Sequence, residues 1–469
     1  MDKTEINKVI KTGQINREEK NQTDSMSCSN LANTALEMAK KAGCNAARVT
    51  ISANTQSVYN VRDNKMERIH RATSSSIYLQ LFSDGKYGTF STNRMGTGEL
   101  ESFIKKAAGI TRLLAPDIHR NLPDPSLYYK GNNEDLEQFD PSINTLDPLD
   151  KSKIAYDCAA EIYKSDPRIL SVNSEFGDID DYVYIADSNG FSGESRQSSF
   201  SLSCECSVKD NGDARPEGWW YESSLFLDSL VKEGVGKKSL ERALSRLSPV
   251  KMKSGKYNMV LENTVSSRVV APIISALNGA SIQQNNSFLK DKAGKKVFHD
   301  KFQLVDTPHT KRAAGSRYFD SEGIATKPMN IIENGTVNTY FINTYHSNKL
   351  SLPVTIEGPS VPICRFTGSA TGESPAQNLS DILKLCGNGI LVTGFNGGNS
   401  NSSTGDFSFG VQGFWFENGI IKHPVGEMNI TGNIITLWNS LIAAGTDARE
   451  TGRWLIPTLA FENVNLSGI

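Results

Sequence analysis

Residues 403–433 read STGDFSFGVQGFWFENGIIKHPVGEMNITGN, with glycine at 405, 410, 413, 419, 426 and 432. Glycine inside a strand weakens it unless the backbone needs a bulge, a positive φ or the close approach of another chain. Asn418-Gly419 stands between two β-like runs and predicts a type I′ hairpin, and Asn334-Gly335 predicts a second one upstream. Phe407, Phe409, Phe414, Trp415 and Phe416 supply a core face and an outer face. A stretch specified in this way folds as sheet. A closely approached backbone is also what an extended peptide requires of a sheet edge. Asp406, Phe407, Ser408 and Gly413 are therefore the candidate peptide-binding or structural positions.

The remainder predicts an α+β chain. Leu31, Ala35, Met38, Ala39 and Ala42 keep helical spacing up to Gly43, and a second helix is expected over 98–114. Between them, Val49 and Ile51, then Val58 and Val61, then Ile77, Leu79 and Leu81 read as a meander. Its turn is Ser83-Asp84-Gly85 and its last strand covers 87–92. Residues 115–150 are rich in Pro, Asn and Asp and predict an irregular connection. A helix over 149–164, strands near 169–176, 182–187 and 197–208, and a helix over 228–247 follow. Beyond come a strand at 257–261, an apolar helix at 266–277, a mainly β segment and a last helix at 434–444. The expected organisation is a disordered polar tail (1–25), an N-terminal α/β-meander domain (26–220) and a β-rich C-terminal domain with a few helices (221–469).

Composition narrows the function. The 50 basic and 52 acidic side chains nearly balance, which disfavours duplex nucleic acid as a partner. The most apolar runs fall short of the ~20 residues a membrane helix needs, and the N-terminus lacks the apolar core of a secretory leader. Seven scattered cysteines suit reduced thiols and a cytoplasmic setting.

Local chemistry assigns no active site. Cys204-Glu205-Cys206 has no second Cys/His pair to complete a zinc site, so these read as structural thiols. No two of the six histidines stand three to five residues apart. Asp178, Asp180 and Asp181 lack the glycine and distal glutamate of a calcium loop and read as a solvated turn. Gly368-Ser369-Ala370-Thr371-Gly372 puts its serine one place early for a nucleophile elbow, and Gly236-Lys237-Lys238 lacks the first glycine and the Ser/Thr of a phosphate loop.

Longer blocks carry a resemblance. Thr404 to Ser408, Gly413-Phe414-Trp415, Glu417-Asn418-Gly419, Pro424-Val425, Glu427, Ile430 and Gly432-Asn433 resemble the C-terminal signature of the TldD/PmbA family. So do Phe319 to Thr326, Ile331 to Gly335 and Thr344 to Leu350, in the same order. The resemblance implies a cytoplasmic metallopeptidase system that degrades or trims unfolded peptides, built from a zinc-bearing TldD-type chain and a PmbA (TldE)-type chain. TldD-type chains carry His-Glu-x-x-x-His on a helix, with a distant cysteine. By register those positions fall here on Ala271, Pro272 and Ala276, and no cysteine follows Cys386. The motif occurs nowhere in the chain.

The wording Gly-Asp-Phe-Ser with Gly-Phe-Trp is similar to the PmbA type. The resemblance thus implies a subunit with no catalytic residue, metal ligand or cofactor of its own. Zinc is expected on a TldD-like catalytic partner, with unfolded peptides as substrates and a homodimer as the assembly of the isolated chain. Two rivals stand beside it. One is an autonomous hydrolase built around His346 or Cys364. The other is a protein-binding modulator of DNA gyrase or of a toxin–antitoxin system, as PmbA-type proteins have been described.

Overall fold

The computed structural model describes residues 25–131, 134–366 and 378–468. The polar N-terminal tail and the Gly368–Gly372 pentapeptide lie outside them, save for Ser25. The chain divides into two compact units. The first comprises residues up to 207 with 218–240 and 317–326; the second comprises 208–217, 241–316 and 327 onward. The α+β expectation holds.

The first unit is built on one long antiparallel sheet. Its strands are β1 (Ala46–Arg62), β2 (Lys65–Ser83), β3 (Lys86–Thr92), β4 (Ile169–Asp187), β5 (Ser192–Val208) and β6 (Glu217–Ser224), in the order β3-β2-β1-β4-β5-β6. Positive φ at Asp63 and Asn64, and at Asp84 and Gly85, makes tight hairpins of β1–β2 and β2–β3. Helices α1 (Ser25–Lys41) and α2 (Thr97–Thr111) cover one end through Ala32, Ala35, Ala39, Leu100 and Ile104, which share a core with Val49, Ile51, Ile77 and Leu79. Helix α3 (Pro148–Ala160) begins behind Asp147, whose carboxylate caps Leu149 N at 2.8 Å.

Here one expectation fails. Residues 169–187 form a single strand rather than two strands around a turn, and Asp178 is buried opposite Ser57 of β1. Its carboxylate accepts from Ser57 Oγ at 2.5 Å and pairs with Lys151 Nζ of α3 at 2.8 Å. An acid that looked like turn chemistry is instead one half of a buried ion pair. The predicted helix over 228–247 also shortens, to α4 (Val235–Ser245), since Gly234 takes φ +83° just ahead of it.

In the second unit, β7 (Gly255–Leu261), β12 (Gly389–Ser400), β13 (Asp406–Glu417), β14 (Ile420–Asn433) and β16 (Leu459–Gly468) close on themselves through a β14–β16 pairing. β7 and β12 run parallel, the other neighbours antiparallel, and β15 (Leu441–Ala444) adds to β16. A four-stranded sheet of order β10-β9-β8-β11 combines β8 (Phe302–Asp306), β9 (Met329–Glu333), β10 (Thr336–Val337) and β11 (Pro362–Phe366). The helices are α5 (Ser267–Ala276), α6 (Gly279–Gln283), α7 (Thr344–Leu350), α8 (Leu379–Cys386) and α9 (Ile434–Asn439). Both Asn-Gly pairs take two successive positive φ values, as a type I′ turn requires. The last helix is shorter than predicted, because residues 441–444 pair with β16 instead of extending it. No helix among the described residues is long and apolar enough to cross a membrane.

Two expected outcomes follow. A Cβ at Gly413 would lie 1.8 Å from the Leu391 carbonyl, whereas at Gly410 the nearest atom is 3.5 Å away. Gly413→Ala should cost at least about 3 kcal/mol and Gly410→Ala less than about 1, read from urea denaturation midpoints at equal m-value. Lys151→Met strands the Asp178 carboxylate and should cost about 3–5 kcal/mol in the same assay.

Candidate functional site

The apolar run after β7 forms helix α5, placed by packing and one indole hydrogen bond. Val269, Val270, Ile273 and Ala276 are buried in the core that also holds Met259, Leu261, Ile390, Phe409 and Trp438. Trp438 donates its indole N–H to the Val269 carbonyl at 3.0 Å and stacks on Phe302, with ring centroids 4.0 Å apart. Pro272 sits inside the helix and removes one N–H from its ladder.

The three positions matched to a zinc motif occupy this helix. Ala271 and Pro272 are half-buried and Ala276 is fully buried. Methyl and pyrrolidine groups offer neither a lone pair for a metal nor a base for water, so these residues do not fit zinc. Among the described residues, no three His, Cys, Asp or Glu side chains gather in a way that could hold an ion.

The surroundings of α5 are taken up by structural bonds. Arg242 of α4 holds Glu262 in a two-point pair at 3.0 and 2.7 Å, and Thr264 Oγ1 donates to the same carboxylate. Asn263 Nδ2 donates to the Asp447 carbonyl at 2.6 Å, and the Asp447 carboxylate holds Thr458 through N and Oγ1 at 2.9 and 2.7 Å. In the late segment, Arg453 Nε donates to the Ser360 carbonyl at 2.9 Å and Leu455 N to that of Pro362 at 2.9 Å. Arg268 lies over the Phe409 ring at 4.8 Å and donates to the Gly398 carbonyl. Sequence reading missed Arg242, Glu262 and Asp447, because their partners are 11 to 184 residues distant and no local spacing announces them.

The glycine-rich stretch resolves into a tie and a packed strand. Asn433 caps α9 by accepting from Ile435 N at 3.0 Å, while its Nδ2 donates to the Thr404 carbonyl at 2.8 Å and to Asp406 Oδ1 at 2.9 Å. Thr404 Oγ1 donates to the other Asp406 oxygen at 2.7 Å. These bonds, Asn433 first, hold the Asp406 carboxyl below its ordinary range. Phe407 is buried and stacks on Phe409 at 5.2 Å, and Ser408 is exposed. Strand β13 is paired on both sides. Phe407 faces Ser400 and Gly432, Ser408 faces Asn399 and Thr431, and Gly413 faces Val392 and Val425. It therefore has no free edge to offer a peptide strand.

The other blocks are also structural. Phe319–Thr326 lies in the first unit, where Asp320 closes its turn on Glu322 N and Ile324 N at 2.9 and 3.0 Å. Arg48 donates to the Glu322 carbonyl at 2.8 Å and pairs with Asp187 at 2.9 Å, and Tyr128 Oη donates to the same carboxylate at 2.7 Å. Burial and that bond push the Tyr128 hydroxyl up. Thr344–Leu350 is α7, capped by Asn343, with His346 packed against Tyr345 and Gly279. Cys364 is buried in β11, and burial pushes its thiol up.

Comparison with known proteins agrees with this architecture. Residues 47–111, 141–247 and 254–468 match the models described as PmbA/TldA metallopeptidase domain 1, central domain and C-terminal domain. A crystal structure from Bacteroides thetaiotaomicron, named as a candidate modulator of DNA gyrase, is 47% identical with a TM-score of 0.90, covering 94% of this chain and 99% of that one. The metalloprotease PmbA homologue of Haemophilus influenzae is 27% identical over 92% of this chain and 94% of its own. TldE of Thermococcus kodakarensis shares the fold, with a TM-score of 0.82 at 16% identity over 93% of this chain and 100% of that one.

Asn433→Ala removes the α9 cap and both Asn433 bonds to the 404–406 loop. The expected cost is about 1–2 kcal/mol by denaturation. The Asp406 carboxyl should also move up towards its ordinary range in a carboxyl NMR titration. Its folded-state acidity is enhanced, so its stabilising contribution is present above the unfolded value and fades as pH falls through the folded one.

Proposed function

Because this chain belongs to the PmbA/TldD metallopeptidase family, we propose that it is the zinc-free subunit of a cytoplasmic TldD/TldE-type metallopeptidase that degrades or trims unfolded peptides. One observation carries the reading. The family's C-terminal domain model spans α5, yet His-Glu-x-x-x-His is absent from the whole sequence, and the positions that the resemblance matches to it by register are Ala271, Pro272 and Ala276. The chain's own part is to complete a TldD-like partner's peptide chamber and to hold extended substrate, while zinc and the base that activates its water reside on that partner. Strand addition remains the simplest way to hold unfolded peptides without regard to sequence, and it belongs at an open sheet edge rather than at β13.

The decisive assay is zinc content and cleavage of an unfolded protein substrate, for the purified chain alone and mixed with the TldD-like chain of the same cell. The expected result is no bound zinc and no cleavage alone, with cleavage in the mixture. Stoichiometric zinc and activity in the isolated chain would refute the assignment, and a pull-down recovering no TldD-like chain would count against it. The name carried by the Bacteroides relative supports a second reading, a protein contact with DNA gyrase. Unchanged supercoiling by purified gyrase in excess of this chain would dismiss it.

A further inference from the structure

Strand β3 pairs with β2 only from Ile77 opposite Thr92 to Ser83 opposite Lys86, whereas β1 pairs with β2 from Lys65 opposite Arg62 to Phe82 opposite Ala46. Among the described residues no second strand lies beside 67–76, and none of these residues is buried. At ~3.3 Å per residue this open edge is ~33 Å long. It contains no proline, and the one irregularity in its pairing falls at its start, opposite Asn60 and Val61 of β1.

The two hairpins decide which main-chain groups reach that edge. In an antiparallel pair alternate residues bond to the partner strand, and those between them point away from it. The two-residue turns are closed by Arg62 with Lys65 and by Ser83 with Lys86, and a closing pair is hydrogen-bonded. Ser83, Leu81, Leu79 and Ile77 therefore bond to β3, and the same alternation turns the N–H and C=O of Ser75, Thr73, Arg71 and Ile69 outward. The β1 register agrees, since these four stand opposite Ala53, Thr55, Ser57 and Tyr59, between the β1 residues that bond to β2. Below them, Met66 N is already taken by Tyr156 Oη at 2.8 Å.

The side chains give the edge a sign. Lys65, Arg68 and Arg71 stand against Glu67. Glu67 accepts from Arg62 at 3.0 Å and Arg68 lies 3.5 Å from Glu175, while Lys65 and Arg71 have no ion pair among the described residues. Residues 73–76 are small and uncharged. Like charge on an edge opposes pairing with a second copy of that edge and favours a strand of opposite sign.

We infer that residues 67–76 of β2 bind acidic extended peptide by strand addition, through the main chain of Ile69, Arg71, Thr73 and Ser75 and the charges of Lys65 and Arg71. The inference rests on the substrate-holding role proposed above and names its edge and its substrate class. Binding of this kind makes and breaks no covalent bond, so it is measurable without the TldD-like partner.

The test titrates the full chain into a fluorescein-labelled peptide of alternating Glu and Val, equal in length to the edge, and reads anisotropy. Hydrogen–deuterium exchange of the chain is then measured with the peptide in excess. The expected result is slowed exchange at 67–76. Binding should weaken about tenfold or more for the Lys-Val counterpart, and likewise for a Glu-Val peptide N-methylated at two adjacent central residues, which spoils both of its edges. Thr73→Pro removes an outward N–H that β1 does not use and should abolish binding, and Arg71→Glu should reverse the preference between the acidic and basic peptides. If Thr73→Pro fails to fold, the N-methylated peptide decides, since it needs no variant. Unchanged exchange at 67–76 with millimolar Glu-Val peptide overturns the inference, as does equal binding of the Lys-Val or the N-methylated peptide. Protection of 67–76 that grows with the chain's own concentration, without peptide, assigns the edge to a second copy and overturns it too. Binding here together with zinc in the isolated chain sustains the edge and refutes the subunit reading; cleavage by the mixture without binding here does the reverse.

Discussion

Pairing of β14 with β16, from Met428 opposite Gly468 to Thr431 opposite Asn465, closes the second unit's barrel, and helix α5 depends on that closure. An open sheet would leave two edges to satisfy; a closed one leaves none and fixes the interior volume. Into this volume go Phe407, Phe409, Val411 and Ile430 from the strands and Val269, Val270 and Ile273 from α5. Trp438 adds direction, since its indole N–H can reach the Val269 carbonyl only in one position of the helix.

This arrangement explains how the family scaffold keeps its shape whatever side chains the outer face of α5 carries. Helix α5 is positioned by its apolar face and by one indole bond. The half-buried face bearing Ala271 and Pro272 contributes little to that packing, so its residues can change while the fold stays. Proline inside α5 makes the point more sharply, since a residue costing about 3 kcal/mol in a free helix is accommodated by tertiary packing here.

Legibility followed the range of the physics. Asn334-Gly335 and Asn418-Gly419 were readable because a type I′ turn is specified by two adjacent residues, and both take the expected positive φ. The meander and α5 were readable because one-sided burial imprints a period. Asp178 was misread as a solvated turn. Nothing in Gly177-Asp178-Ile179-Asp180-Asp181 reveals that Ser57 and Lys151, 121 and 27 positions away, will meet it in the interior. The last helix was drawn too long for a related reason. Leu441 and Ala443 continue an apolar pattern that suits either state, and only β16 decides in favour of strand. At the candidate site, the Arg242–Glu262 and Asn263–Asp447 bonds that hold the helix entry were not legible, since no local spacing announces them.

The glycine-rich stretch now reads differently from its first impression. Gly413 is glycine because the Leu391 carbonyl occupies the space of a side chain, and Gly419 because the turn demands a positive φ; both are internal demands of a closed sheet. Phe407 faces the core, and Asp406 is committed to Asn433 and Thr404. The backbone that looked available to a peptide is already bonded to two neighbouring strands. A ligand role for this stretch therefore has to rest on outward side chains such as Ser408, and any peptide held by main-chain bonds has to be held elsewhere.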